Sequence, residues 1–375
     1  DSSPSRGLGD VYKRQLYSAQ KFSNSLKSKN YDCRFDNTQI IDNSSSSYKF
    51  NSTIQEIEKA DAILLIGSNP RWEAAVLNAR IRKAYIENNC KIGLIGPKLD
   101  LTYDYHHLSD SLDYLNKLSN NKSEFNKVLK SAKNPLIILG TSAINNDHGK
   151  KILETAGLIA KKIQKNKNTN PLNILNQDIS RVGALDLKFY NKKFDNDYNK
   201  QLKKHIDKTK PVVFLMGLDE INFSTFENAF VVYLGHHGDV SASIADIILP
   251  TPAYTEKSST YMNIEGRVIQ TTKCHNPIGE AKEEWKIFRV LSDLFEKNLN
   301  FNNLGELRNE LTSTYGQFAL LNEVNSIGEI TFAKNNKIEN IKIKYNIENF
   351  YMNDSISRSS ETMAKCTKDI LNKAA

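Results

Sequence analysis

Cysteine is scarce in this chain, and what there is does not cluster. Cys33, Cys90, Cys274 and Cys366 stand far apart, with no C-x-x-C pair or other spacing that would hold an iron–sulfur cluster or zinc. A disulfide framework is excluded on the same ground, and the thiols read as reduced, in a cytosol-like compartment. Long hydrophobic runs are absent too. No window approaches the roughly 18 consecutive apolar residues of a membrane helix, and no signal peptide is visible, so the chain reads as soluble or as peripheral to something else. Charge of one sign is also lacking: the net +8 is the difference between 51 Lys and Arg and 43 Asp and Glu, both spread along the chain among many Asn. No basic run interleaves with aromatics, which argues against a nucleic-acid groove.

The chain does hold enough apolar residues, 39%, and enough length, 375 residues, for two α/β units or one large one. The first fifteen residues, Asp1 to Gln15, are unlike the rest of the chain. They resemble translated adapter or linker sequence, are expected to add nothing to the fold, and would make this a C-terminal fragment of a longer protein. Residues 16–48 are largely polar and end in a Ser-rich loop, with no chemistry assigned.

The clearest local pattern runs from Ala60 to Pro97. Ala62 to Ile66 is a continuous apolar run, as in a strand buried on both faces of a parallel sheet. Asn69 then reads as an N-cap with Pro70 at the first helical position, Ala74, Leu77, Ile81, Ala84 and Tyr85 recur at helical spacing, and Ile92 to Ile95 gives the next strand. The turn Gly67-Ser68-Asn69 has two readings, an anion site at a helix N-terminus or a tight connection. One glycine is too few for a dinucleotide or P-loop fingerprint, which favours the connection. A second strand and helix follow in "NPLIILGTSAI" and "GKKILETAGLIAKKI", the helix carrying Ile152, Ala156, Ile159 and Ile163 on one face.

The expected fold is therefore α/β: two doubly wound, mainly parallel-sheet domains, over residues 16–165 and 166–296, joined near 164–171. Residues 297–375 form an irregular C-terminal extension, apart from a short amphipathic helix with Ile356, Met363 and Ile370 facing one way. Gly183 in "SRVGALDL" is not placed by local rules. Lys188 to Lys210 reads as a solvated segment, and strands return at "PVVFLMG" and "AFVVYLG".

Directly after the last of these come His236, His237 and Asp239, where an α/β enzyme would put a metal or a general base. Adjacent histidines on an extended chain point to opposite sides, so a shared metal is not expected, and no G-x-S-x-G elbow accompanies them. The stretch reads as a strand-end loop, with Gly238 supplying backbone freedom.

The longer string does carry a specific signal. "ADIILP", then Glu256, Thr260 and Asn263, then Glu265-Gly266-Arg267 resembles the signature of the molybdopterin oxidoreductase superfamily. "LLIGSNPRWEAAVLNARIRK", "SRVGALDL" and "VVYLGHHGDVSASIADIILPTPAYTEKSSTYMNIEGR" are similar to the 75-kDa, or G, subunit family of respiratory NADH:quinone oxidoreductase (complex I). The ending "FYMNDSISRSSETMAKC" resembles its mitochondrial and alphaproteobacterial branch. The likeness spans Asp61 to Cys366.

That resemblance implies molybdopterin-oxidoreductase-type α/β domains that in this subunit usually hold no molybdenum cofactor. The 2Fe-2S and 4Fe-4S clusters of the family are expected upstream, with none in this fragment and no catalytic, cofactor-binding or metal residue to carry over. It further implies a scaffold supporting electron transfer from NADH to quinone. Its partners would be other peripheral-arm subunits, and it would lie on the inner membrane without spanning it, on the cytoplasmic side in bacteria or the matrix side in mitochondria. Arg267 is expected to pin its loop through Glu256 and Glu265. The alternatives are a molybdopterin-dependent oxidoreductase and a free-standing nucleotide-binding α/β protein, separated by metal, pterin and nucleotide analysis.

Overall fold

A computed structural model describes residues 13–194, 198–218, 222–238, 240–324 and 328–371. Its first sheet is parallel throughout, with strands β1 (Ala62–Ile66), β2 (Lys91–Ile95), β3 (His106–Ser109), β4 (Pro135–Gly140) and β5 (Leu172–Leu175) in the order β3-β2-β1-β4-β5. All five residues of β1 are buried, because it is central and both its faces are covered. Ala62, Leu64 and Ile66 face a core built with Ile152, Ala156 and Ile159 of the helix Gly149–Ile163. Ile63 and Leu65 face the other way, onto Ile81 and Ala84 of the helix Ala75–Asn88. The continuous apolar run is thus two alternating faces superposed.

Since β5 pairs with β4, the first sheet runs on past the boundary expected at residue 165. A second, smaller sheet holds β6 (Val212–Met216), β7 (Phe230–Gly235) and β8 (Ile247–Pro250), parallel and in that order. It is followed by an antiparallel pair, β9 (Thr260–Met262) and β10 (Val268–Gln270).

Three polar stretches fold more than their composition promised. The helix Lys13–Ser25 begins inside the adapter-like segment and buries Arg14, Gln15, Leu16, Tyr17 and Phe22, so residues 14 and 15 do belong to the packed structure. Residues 1–12 lie outside the described residues. The charged stretch after Lys188 includes the helix Tyr198–Thr209, anchored by a fully buried Ile206. The C-terminal extension supplies Phe301, Leu307, Leu311 and Phe318 to the core of the second unit, and Ile330, Phe332, Ile338 and Ile343 to that of the first. Leu307 and Leu311 stand one turn apart on the helix Leu304–Thr314, so this part of the extension is not irregular as expected; the four residues from Ile330 to Ile343 belong to a strap without helix or strand, which neither periodicity reveals. Near the C-terminus, the single amphipathic helix expected is broken into Ser355–Arg358, Glu361–Cys366 and a π-turn at Thr367–Leu371, and Ile370 is exposed.

Candidate functional site

At the end of β7 the chain does not stay extended, which overturns the expected divergence of the two histidines. It bends after Gly235, and the His236 and His237 rings meet edge to face with centroids 4.5 Å apart, their Nδ1 atoms in contact. Tyr233 donates its hydroxyl to the His237 carbonyl at 3.1 Å. The glycine this geometry requires is Gly235: a Cβ there would lie 2.1 Å from the Tyr233 hydroxyl, whereas one on Gly238 would meet nothing. Asp239 lies outside the described residues. Among the described residues no group of three or more His, Cys, Asp or Glu side chains is placed to hold a metal ion.

The turn Gly67-Ser68-Asn69 resolves as a connection. Gly67 is left-handed (φ 56), and the Asn69 carbonyl accepts the first helical N–H bonds from Trp72 and Glu73, but its side chain caps nothing. A carboxylate already occupies this neighbourhood, because the buried Glu73 accepts from Ser68 Oγ at 2.9 Å, and the helix lasts only from Pro70 to Glu73. An anion would meet a like charge in place of an open nest.

After β8 the signature loop is held by polar groups gathered around the buried Glu265. Arg267 Nε donates to Glu265 Oε1 at 3.0 Å and its NH1 to the Asn322 carbonyl. Asn263 accepts the Arg267 N–H at 2.9 Å, and Glu265 Oε2 takes the Ile54 N–H at 2.9 Å, reaching across to the first unit. The expected role of Glu256 does not hold, since its carboxylate caps its own turn by accepting from Ala253 N at 3.0 Å. Sequence reasoning missed the deeper pair beside it, Lys257 with Glu284 at 2.8 Å. Burial pushes the Lys257 ammonium down, with Glu284 opposing.

"SRVGALDL" proves to be a buried helix, Arg181–Asp186, that carries two more charge clusters. Arg181 bonds Asp36 at 2.9 Å and also Asp178, clamping the loop around residue 36. At the other end Asp186 accepts the Tyr48 hydroxyl at 2.8 Å and pairs with Lys49 at 3.0 Å. These three residues, with Ser44, Ser45 and Tyr190, line a cleft of about 330 Å³. Burial, and then the neighbouring Asp186 carboxylate, hold the Tyr48 phenol protonated far above neutral pH. Nothing here has the character of an activated nucleophile or a poised base: the carboxylate is occupied twice and the lysine is bound.

Residues 8–294 match the molybdopterin oxidoreductase family. The chain belongs to that family. Residues 323–366 match a second one, the C-terminal family of the G-type subunit of NADH-ubiquinone oxidoreductase. The chain is 38% identical over 340 residues to the NADH-ubiquinone oxidoreductase 75 kDa subunit of Reclinomonas americana, covering 88% of this chain and 48% of that one. It is 39% identical to the 78 kDa mitochondrial subunit of Neurospora crassa (86% and 43%), and 41% identical to that of Candida albicans (86% and 45%). The chain thus spans about half the length of these relatives. A slighter likeness, TM-score 0.41 at 13% identity over 84% of this chain and 57% of the other, links it to acetylene hydratase from Pelobacter acetylenicus, too distant to bear on the site.

Membership in this family raises the question of a pterin-bound molybdenum, and the residues present do not fit one. The cleft offers hydroxyls and no thiol, and its one lysine–carboxylate pair is internally satisfied. Of the buried cations, Arg34, Arg181 and Lys257 are matched to carboxylates of this chain, and Arg14, which makes no hydrogen bond, does not line the cleft. Cys33 lies beside Arg181, where burial pushes its thiol up to about 12, which opposes metal ligation.

Proposed function

We propose that this chain is the scaffold portion of a 75-kDa-type subunit of NADH:quinone oxidoreductase, with family-type domains kept for packing and without a molybdenum cofactor. The observation that carries this reading is the order of the two family matches, molybdopterin oxidoreductase first and then the G-type C-terminal segment, in one chain. The segment is no loose appendage, because Ile330, Phe332, Ile338 and Ile343 are buried in the first unit. On this reading the partners are the other subunits of the peripheral arm, and iron–sulfur clusters belong to a part of the subunit outside this chain; one plant relative is named an iron-sulfur protein. Residence on the inner membrane, on its matrix or cytoplasmic face, follows from the same assignment. No helix among the described residues is long and apolar enough to cross a bilayer. Arg267, His236 and His237 are structural on this view, and no residue of the chain is catalytic.

The test is isolation of the tagged natural gene product from its own cells. Recovery in a large particle with NADH:quinone activity and no stoichiometric molybdenum is expected. Recovery as a free-standing protein with molybdenum and pterin in equimolar amount would make it a molybdopterin enzyme instead.

A further inference from the structure

The order β3-β2-β1-β4-β5 puts the reversal of chain progression between β1 and β4. Open α/β sheets bind their ligands at such a point, in the crevice outside the carboxyl ends of the strands. In this chain the place is taken by residues 343–346. Tyr345 donates its hydroxyl to the Pro97 carbonyl at 3.1 Å, just past β2, and a Cβ on Gly96 would lie 2.6 Å from that hydroxyl. Asn346 grips the turn after β4 at three points. Its N–H donates to Ser142 Oγ at 3.1 Å, its amide to Thr141 Oγ1 at 3.3 Å, and its amide oxygen accepts from Asn145 at 2.8 Å. Ile343, buried two residues before Tyr345, ties the segment to the core.

We propose that this crevice is a ligand site filled in cis: Tyr345 and Asn346 of the chain's own C-terminal segment are its occupants and close it to small molecules. The chemistry it selects is that of a phenol, with Gly96 leaving room for the ring end and the Pro97 carbonyl taking the hydroxyl proton. The inference rests on the sheet order and on the contacts of residues 343–346, and stands whether or not the chain joins a respiratory complex.

Tyr345 is partly buried, so Tyr345→Ala in the full chain should open a phenol-sized cleft against Gly96 and Pro97, and engineered cavities bind small aromatics. With phenol as the probe, the melting temperature of the variant should fall below that of the parent and recover as phenol is added, while the parent does not respond. Amide exchange at Gly96, Lys98 and residues 141–145 should quicken about tenfold in the variant and slow again with phenol, with β1 and β4 unchanged. Benzene, which lacks the hydroxyl, should restore less. No response of the variant to phenol, or an equal response of parent and variant, would overturn the proposal. If the variant does not fold, Tyr345→Phe keeps the ring and loses only the bond to Pro97. Faster exchange confined to Gly96 and Lys98 is then expected, and unchanged exchange there counts against the site.

Discussion

Lys257 and Glu284 lie 2.8 Å apart with side chains 0% and 4% exposed, a fully desolvated ion pair that joins the signature loop to the helix Glu284–Leu294. A pair this deep gains little net stability over an apolar replacement, but losing one member strands the other charge. Lys257→Met should therefore cost roughly 3–5 kcal/mol, because Glu284, whose Oε2 already makes no hydrogen bond, would be left as a buried anion. Lys257→Met with Glu284→Leu should cost clearly less than the single change. Urea denaturation of the four members of the cycle measures this, and a double variant as unstable as the sum of the singles would show the pair to be independent groups.

Asp36 and Arg181 make the fold sensitive to acid. Burial pushes the Asp36 carboxyl up, but the Arg181 guanidinium at 2.9 Å and the Thr38 hydroxyl and amide outweigh it, so the group sits below the usual carboxylate value. A depressed folded pKa contributes stability that is complete above the unfolded value, about 3.9 for Asp, and is lost as pH falls through the folded value. Asp36→Asn should accordingly flatten the loss of stability below about pH 4, while destabilising the chain near neutrality by leaving Arg181 with Asp178 alone. Chemical denaturation over a pH series decides it; identical acid limbs for parent and variant would mean that Asp36 is not the titrating group.

Arg267 and Glu265 divide their roles unequally. The Arg267 side chain is 36% exposed and that of Glu265 only 5%. Arg267→Ala should cost about 1 kcal/mol, since water can replace much of what the guanidinium gives. Glu265→Ala should cost more, on the order of 2–3 kcal/mol, because the Ile54 N–H loses its acceptor in a buried place. Thermal denaturation ranks the two, and a larger loss from Arg267→Ala would point to a partner surface at this arginine.

The sheets were legible because periodicity carries them: Ala62–Ile66 and Ile92–Ile95 appear as apolar runs, and Ile152, Ala156, Ile159 and Ile163 repeat along one helical face that is buried as expected. What escaped was tertiary. Arg14, Ile206 and Ile343 sit in polar stretches whose burial depends on a distant neighbour, and no local rule registers that. The candidate site was misjudged in geometry for a similar reason. The rule that neighbours on a strand diverge holds only while the strand continues, and it stops at Gly235, where the Tyr233 hydroxyl occupies the space of a side chain. Charge pairs such as Lys257 with Glu284 span 27 positions and leave no spacing to find.

Arg14 is the misfit of the structure. It is 1% exposed, yet Nε and both terminal nitrogens of its guanidinium make no hydrogen bond. Burial, with the like charge of Arg308 adding to it and Glu283 opposing, pushes its pKa down to about 10. A buried guanidinium with no hydrogen bond is a cost that a neutral side chain of similar length would remove. Arg14→Met keeps the length of the side chain and removes the charge, so it should stabilise the chain by about 1–3 kcal/mol, where most buried substitutions destabilise. Arg14→Lys should bring no such gain. The sign with pH follows from a folded pKa below the unfolded one. The penalty is constant through neutral pH and is relieved only as pH rises through about 10 toward the ordinary arginine value, so the advantage of Arg14→Met should not change between about pH 6 and 9. Melting temperatures of the three proteins measure the effect. A loss of stability in Arg14→Met would show that the guanidinium is held by a counter-charge, with Glu283 the carboxylate nearest in effect.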